Sequence, residues 1–130
     1  MHTRDQLYID GKWVLPMGNE SIDVINPATE EIIGKIPVGS VEDIDKAASA
    51  ARIAFESWSK SSIESRIDIL NGLSNALKER GEEIAQTITA EVGTPIGYSR
   101  VAMVGTPRVV SRSYAKILEN FDWEEKVRNS

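Results

Sequence analysis

Cysteine is absent from the 130 residues, which excludes a disulfide framework, a thiolate metal site and a cysteine nucleophile. Histidine occurs once, as His2, in a terminus expected to fray and to carry no role. No apolar run approaches the roughly 18 residues of a membrane span, and Met1-His2-Thr3-Arg4-Asp5-Gln6 has neither the apolar stretch nor the small-residue cleavage site of a secretory signal. A cytoplasmic protein with no membrane partner is the expectation. Basic charge is also short: the formal net charge is −5, whereas nucleic-acid and anionic-membrane binders usually present a clustered basic surface. Arg100, Arg108, Arg112 and Lys116 are spread thinly along one helical region and read as a solvated face, so no nucleic-acid partner is expected. A phosphate-cradling loop is missing too. Gly93-Thr94-Pro95-Ile96-Gly97 follows a predicted helix rather than a strand, fits neither nucleotide-binding fingerprint, and reads as a helix–helix junction.

What is present is the composition of a soluble globular protein, 41% hydrophobic and 27% charged. The length is that of about one ordinary domain, which on folding removes roughly two-thirds of its unfolded surface. Short strands are predicted at Leu7 to Asp10, Lys12 to Val14, Ser21 to Ile25 and Ile32 to Ile36. Between them lie Asp10-Gly11, Pro16-Met17-Gly18-Asn19 and Asn26-Pro27, steps that favour turns because glycine accepts positive φ and proline restricts its neighbour. One or two β-hairpins result.

Helical signals take over after Pro37-Val38-Gly39. Ser40 offers a side-chain acceptor ahead of Glu42 and Asp43 in a first turn, and Ile44, Ala47, Ala48, Ala51, Phe55 and Trp58 form one apolar stripe. Ser61 and Glu64 stand at capping-box spacing before a second stripe of Ile67, Leu70, Leu73 and Leu77. Gly81 breaks or bends that helix. Ile84, Ile88 and Val92 mark a third, with Gly93 placed as a left-handed cap, and Thr94-Pro95 reads as a cap with proline in the next first turn. Residues 96–120 are helical in pattern, with a kink or break expected near Gly105 because Pro107 cannot donate to the helix ladder. Phe121 to Val127 alternates like a strand with one covered face. Trp13, Trp58 and Trp123 read as core-sealing aromatics. The carboxylates Glu42, Asp43, Glu82, Glu83 and Glu91 read as helix-end and solvent-face charge.

The run from Val24 to Trp58, with Asn26-Pro27-Ala28-Thr29-Glu30-Glu31 and Phe55-Glu56-Ser57-Trp58, resembles the N-terminal region of the NAD(P)-dependent aldehyde dehydrogenases. Leu7-Tyr8-Ile9-Asp10-Gly11-Lys12-Trp13 and Glu91-Val92-Gly93-Thr94-Pro95 extend the resemblance. Members of that family are several times longer, so the resemblance implies a fragment. It implies an α/β fold: an N-terminal β-hairpin layer plus flanking helices of an incomplete cofactor-binding domain at 1–120, and the start of the oligomerisation strand at 121–130. Family enzymes are oxidoreductases that convert an aldehyde to a carboxylic acid. A cysteine thiohemiacetal passes hydride to NAD or NADP, and a glutamate-activated water releases the acid. The oxyanion asparagine, the cofactor turn, the base and the nucleophile are not encoded here, so the chain alone is expected to be inactive. Its longer parent is expected to take an aldehyde substrate and to be a homo-oligomer.

The resemblance further implies a monovalent cation, Na⁺ or K⁺, held by the backbone carbonyls of Val24 and Ile25 and by Glu91, oxygen donors suited to a hard ion. The alternative for Glu91 is a solvated residue near a helix end. Thr94, where lysine is common in the family, and Pro107, where its helix is usually continuous, are departures that leave the subfamily open. The rival to the enzyme reading is a catalytically empty remnant that acts as a structural or self-association module through Phe121 to Val127, an unpaired edge.

Overall fold

A computed structural model describes residues 2–125 and 127; Met1, Lys126 and residues 128–130 lie outside it, as do the side chains of His2 and Thr3. The chain begins with β1 (His2–Thr3) and then forms a hairpin of β2 (Leu7–Ile9) and β3 (Lys12–Val14). Asp10 and Gly11 make the two-residue connection with φ of 54° and 72°, the doubly positive turn whose twist matches flanking strands. The register sets Tyr8 opposite Trp13, and their rings meet edge to face at 5.1 Å, a cross-strand pair that holds the hairpin together.

A second sheet has the order β1-β5-β4, with β4 (Ser21–Ile25) antiparallel to β5 (Ile32–Pro37) and β1 parallel to β5. The expected fraying of the terminus is corrected here. His2 and Thr3 lie beside Gly34 and Lys35, and the Arg4 N–H reaches the Lys35 carbonyl at 3.0 Å. This pairing spans some thirty residues, so no local pattern announces it. The cross-strand neighbours Asp23 and Lys35 also form a 2.8 Å ion pair.

Helix α1 (Val41–Trp58) starts where the sequence indicates, with a reciprocal capping box. The Asp43 N–H donates to Ser40 Oγ at 3.2 Å, and the Ser40 N–H donates to Asp43 Oδ2 at 3.0 Å. Asp43 does more than terminal duty. It is buried, and its two carboxylate oxygens accept from the Met17 N–H at 3.2 Å each, tying the loop after the hairpin to the start of α1. The reading of Asp43 as solvent-face charge is therefore replaced by an internal clamp. The next helix, α2 (Ile63–Glu79), is capped by Ser62, which accepts from the Ser65 N–H at 3.2 Å. The cap falls one residue after the expected Ser61, whose hydroxyl turns back to the Trp58 carbonyl at 2.7 Å.

Arg80 separates α2 from α3 (Gly81–Val92), and Gly93 closes α3 in the left-handed region at φ 75°. Pro95, rather than Thr94, occupies the cap of the short α4 (Ile96–Tyr98). Then come a π-wound stretch, Ser99–Val104, and α5 (Gly105–Asn120). Helical backbone continues through Gly105, so the expected kink or break takes the form of a change in winding. Pro107 cannot donate to the Met103 carbonyl and its ring crowds that oxygen. Widening the preceding turns is one of the few adjustments a helix has for this.

The core lies where α2, α3, the π stretch and α5 meet. Its buried members are Ala85, Val104 and Ala115 with Ser74, Ser99 and Ser111, mostly small side chains that let helix backbones approach closely. Each serine hydroxyl is bonded internally: Ser74 to the Arg108 carbonyl at 3.1 Å, Ser111 to that of Pro107 at 2.8 Å, and Ser99 to Thr89 Oγ1 at 3.0 Å. Beyond this nucleus little is covered. The accessible surface is 10412 Å², against roughly 6800 Å² expected for a folded monomer of this mass. Trp13, Trp58 and Trp123 are 61, 45 and 54% exposed. Their expected core role is thus corrected: whatever they seal against is not supplied by the described residues. The stripe of α1 is open for the same reason, as is Leu73 on α2. Phe121 to Glu125 and Val127 have no ladder partner among the described residues, since a strand's hydrogen bonds need a neighbouring strand.

The Ser40 backbone N–H holds the Asp43 carboxyl below the ordinary aspartate range, aided by the Met17 N–H and the Ser40 hydroxyl and opposed by desolvation. A folded-state value below the unfolded one means stabilisation that is complete above the unfolded value and lost as pH falls through the folded one. Asp43→Asn is accordingly expected to lower the urea midpoint at neutral pH, with the gap to wild type closing under acid conditions; unfolding followed by circular dichroism across a pH series checks this.

Candidate functional site

The backbone at the end of β4 departs from a regular ladder. A bulge falls between Val24 and Ile25, so that Val24 faces Gly34 while Ile25 faces Ile32. Such bulges re-aim the chain where a strand ends. The six-residue turn that follows is built by Asn26: its Oδ1 accepts from the Ala28 N–H at 2.9 Å, its carbonyl from Glu30 at 2.8 Å, and its own N–H donates to Glu31 at 2.9 Å. Glu30 takes φ 59° to close the turn.

This turn packs on the C-terminal end of α3. A Cβ placed on Gly93 would lie 2.8 Å from Pro27 Cγ, so the Asn-Pro step and the helix end touch with room only for hydrogen. Of the three residues expected to serve a cation, Val24 is half-buried, Ile25 is exposed and Glu91 is exposed. Val24 and Ile25 enter the turn that meets Gly93, and Glu91 lies two residues before Gly93 on α3. Three or more histidine, aspartate or glutamate side chains do not converge anywhere among the described residues.

The remaining acidic candidates resolve into structural pairs. Glu82 receives a two-pronged contact from Arg100, 2.8 Å from Nε and 2.7 Å from Nη2, and a further bond from Gln86 at 2.8 Å. Arg100 foremost, then Gln86, lower the Glu82 carboxyl to about 2, so it stays charged across ordinary conditions and joins α3 to the π stretch. Glu83 is engaged by Arg80 at 2.8 Å. Glu82 and Glu83 remain exposed at the helix end, in keeping with their reading as helix-end and solvent-face charge, and Arg100 stays on a solvated face while pairing with Glu82. Asp43 gave no signal beyond its place in a cap, because its second partner, Met17, is 26 residues away.

Similarity to known proteins follows this architecture. The profile of the aldehyde dehydrogenase family matches residues 13–130. A 3-succinoylsemialdehyde-pyridine dehydrogenase of Pseudomonas sp. is 39% identical over 125 residues, 94% of this chain and 26% of that protein. An aldehyde dehydrogenase of Bartonella henselae superposes with a TM-score of 0.94 at 31% identity, over 98% of this chain and 27% of its own. Aldehyde dehydrogenase C of Pseudomonas syringae, a mutant bound to NAD⁺ and octanal, superposes at 0.93 with 35% identity, over 95 and 26%. The chain thus spans about a quarter of the length of the relatives it matches.

The junction makes a paired prediction. Gly93→Ala is expected to destabilise the protein by more than the ~1–2 kcal/mol that a left-handed residue with a Cβ costs, because the Pro27 contact adds to it. Gly72→Ala, at an open site inside α2, is expected to stabilise by roughly 0.5–1 kcal/mol. Urea midpoints of the two variants decide both.

Proposed function

We propose, since this chain belongs to the aldehyde dehydrogenase family, that it forms the outer N-terminal part of the cofactor-binding domain of an enzyme that oxidises an aldehyde to a carboxylic acid with NAD or NADP. Residues 1–120 make up this part, and 121–130 lead into the strand through which such enzymes oligomerise. The observation that carries the reading is the uncovered apolar surface. A chain exposing 10412 Å², about half as much again as a finished monomer of its mass, has faces shaped for covering. It adopts this conformation with a TM-score of 0.94 to a protein nearly four times longer.

The chemistry must come from elsewhere in such a protein. With no cysteine in the chain, a thiohemiacetal cannot form on it, and the chain alone is inactive. Its own contribution is architectural: the Asp43 clamp sets the hairpin against α1, and the Pro27–Gly93 contact sets the β4 turn against α3. Val24 and Ile25 carbonyls with Glu91 would hold Na⁺ or K⁺ at that second contact, where the ion's charge would pin strand end to helix end. A bulged backbone at Val24 and Ile25, and an exposed carboxylate two residues before the Gly93 that meets Pro27, support this donor set.

The uncovered faces also favour a second reading, in which the isolated chain associates with copies of itself. Light scattering over a range of concentrations separates the two: growing mass with concentration supports association, and a constant monomer mass removes it.

Replacing the matched first quarter of the Pseudomonas sp. relative with these 130 residues is expected to give an enzyme that forms NAD(P)H in the presence of an aldehyde, while the 130 residues alone form none. A soluble fused enzyme that binds cofactor yet shows no aldehyde-dependent turnover would overturn the assignment. In the same fused enzyme, K⁺ or Na⁺ is expected to raise the melting temperature above that in choline at equal ionic strength, and Glu91→Gln to abolish the difference. Thermal melts in the three salts check the cation independently of activity.

A further inference from the structure

Among the described residues, most arginines near α3 are matched by carboxylates, Arg80 by Glu83 and Arg100 by Glu82. Three cations further along are not. Arg108, Arg112 and Lys116 have no carboxylate within 4 Å among the described residues, and all three line one cleft between α2 and α5, together with Ser74, Val109 and Ser113. Their spacing of four residues places them on a single face of α5, about 6 Å apart along the axis and ~12 Å from first to last. Like charges at this spacing oppose helix formation, and they collect here in a chain whose net charge is −5.

The cleft is carried by two helices packed closely against each other. Ser74 is buried and donates to the Arg108 carbonyl at 3.1 Å, and Ser111 and Ala115, on the same helix, are buried against α2 and its neighbours. Arg108 itself is half-buried. The positive groups are therefore carried on rigid backbone rather than on a loop, which lowers the cost of arranging them around a ligand. Guanidinium and ammonium groups together suit clustered oxyanions, the first by two-pronged bonding and the second as a point charge.

We propose that the α2–α5 cleft is a binding site for a small multivalent oxyanion, a di- or triphosphate group or a cluster of carboxylates, held by Arg108, Arg112 and Lys116. The site stands on the α2–α5 pair alone and does not depend on the enzymatic reading. Pyrophosphate and citrate, titrated separately into the 130-residue chain at low ionic strength and followed by calorimetry, supply the two sources of such an anion. Saturable one-to-one binding of either is expected, weakening with added salt. Arg112→Gln and Lys116→Gln are each expected to weaken it on the order of tenfold, with helicity by circular dichroism unchanged because both side chains are exposed. Arg52→Gln on α1 removes the same charge at a distance and is expected to leave binding as it is. Pyrophosphate alone saturating assigns the site to phosphates, citrate alone to carboxylates. Absence of saturation by both anions, or equal weakening by Arg52→Gln, overturns the proposal.

Discussion

The close approach of α2 and α5 is the interaction from which the rest of the helical half hangs. It is made possible by small side chains at the contact, Ser74 on one helix and Ser111 and Ala115 on the other, and it is locked by a hydroxyl that reaches across to the Arg108 carbonyl. Larger residues at these positions would hold the backbones apart and break that bond. With the pair in place, the π stretch has a fixed end to wind towards, Val104 packs inward, and α3 docks through Ala85 and the buried Ser99. Polar groups taken inside find partners in backbone carbonyls or in the Thr89 hydroxyl, and no buried side-chain polar atom among the described residues is left without a partner. The helices can therefore close without an unpaired group in their core.

Outside that nucleus the molecule is held by a few local fastenings, two of them polar, instead of by extensive apolar burial. Asp43 fastens the hairpin loop to α1, the Asn26 turn fastens β4 to β5, and the Gly93 gap admits Pro27. None of these buries the large apolar residues beside them. Ile44, Phe55 and Trp58 on α1 and Val109 and Tyr114 on α5 face outward. The fastenings set directions of chain and leave the apolar faces for something else to cover, which is how one layer of a larger α/β protein is built. No helix among the described residues is long and apolar enough to cross a membrane.

Much of this was legible residue by residue. Asp10-Gly11 announced its turn, Ser40 its cap, Gly81 the end of α2 and Gly93 its left-handed closure, because each acts through backbone within a few residues of itself. The strands from Leu7 onward were legible by alternation and turns. The parallel pairing of β1 was not, since nothing in two residues indicates a partner near Gly34. Ser61 and Ser62 were equally good caps by type, and only the path of the entering chain chose the second. The candidate site was visible only as an Asn-Pro step and a distant Gly-x-Pro junction. That Pro27 and Gly93 touch is a contact across 66 positions.

The sequence by itself determined strands β2 to β5, the helices, the Asp10-Gly11 turn, the Ser40 and Gly93 caps, the lack of a nucleophile and the kinship with aldehyde dehydrogenases, all properties carried by local residue type and order. Tertiary structure alone decided which charges are free and which are paired. Asp43 went inside, Glu82 took Arg100, and Arg108, Arg112 and Lys116 were left together in one cleft with Ser74. It decided as well that the three tryptophans stay uncovered. Burial and ion pairing depend on which distant segments arrive at the same place, and helix and strand propensities carry no record of that.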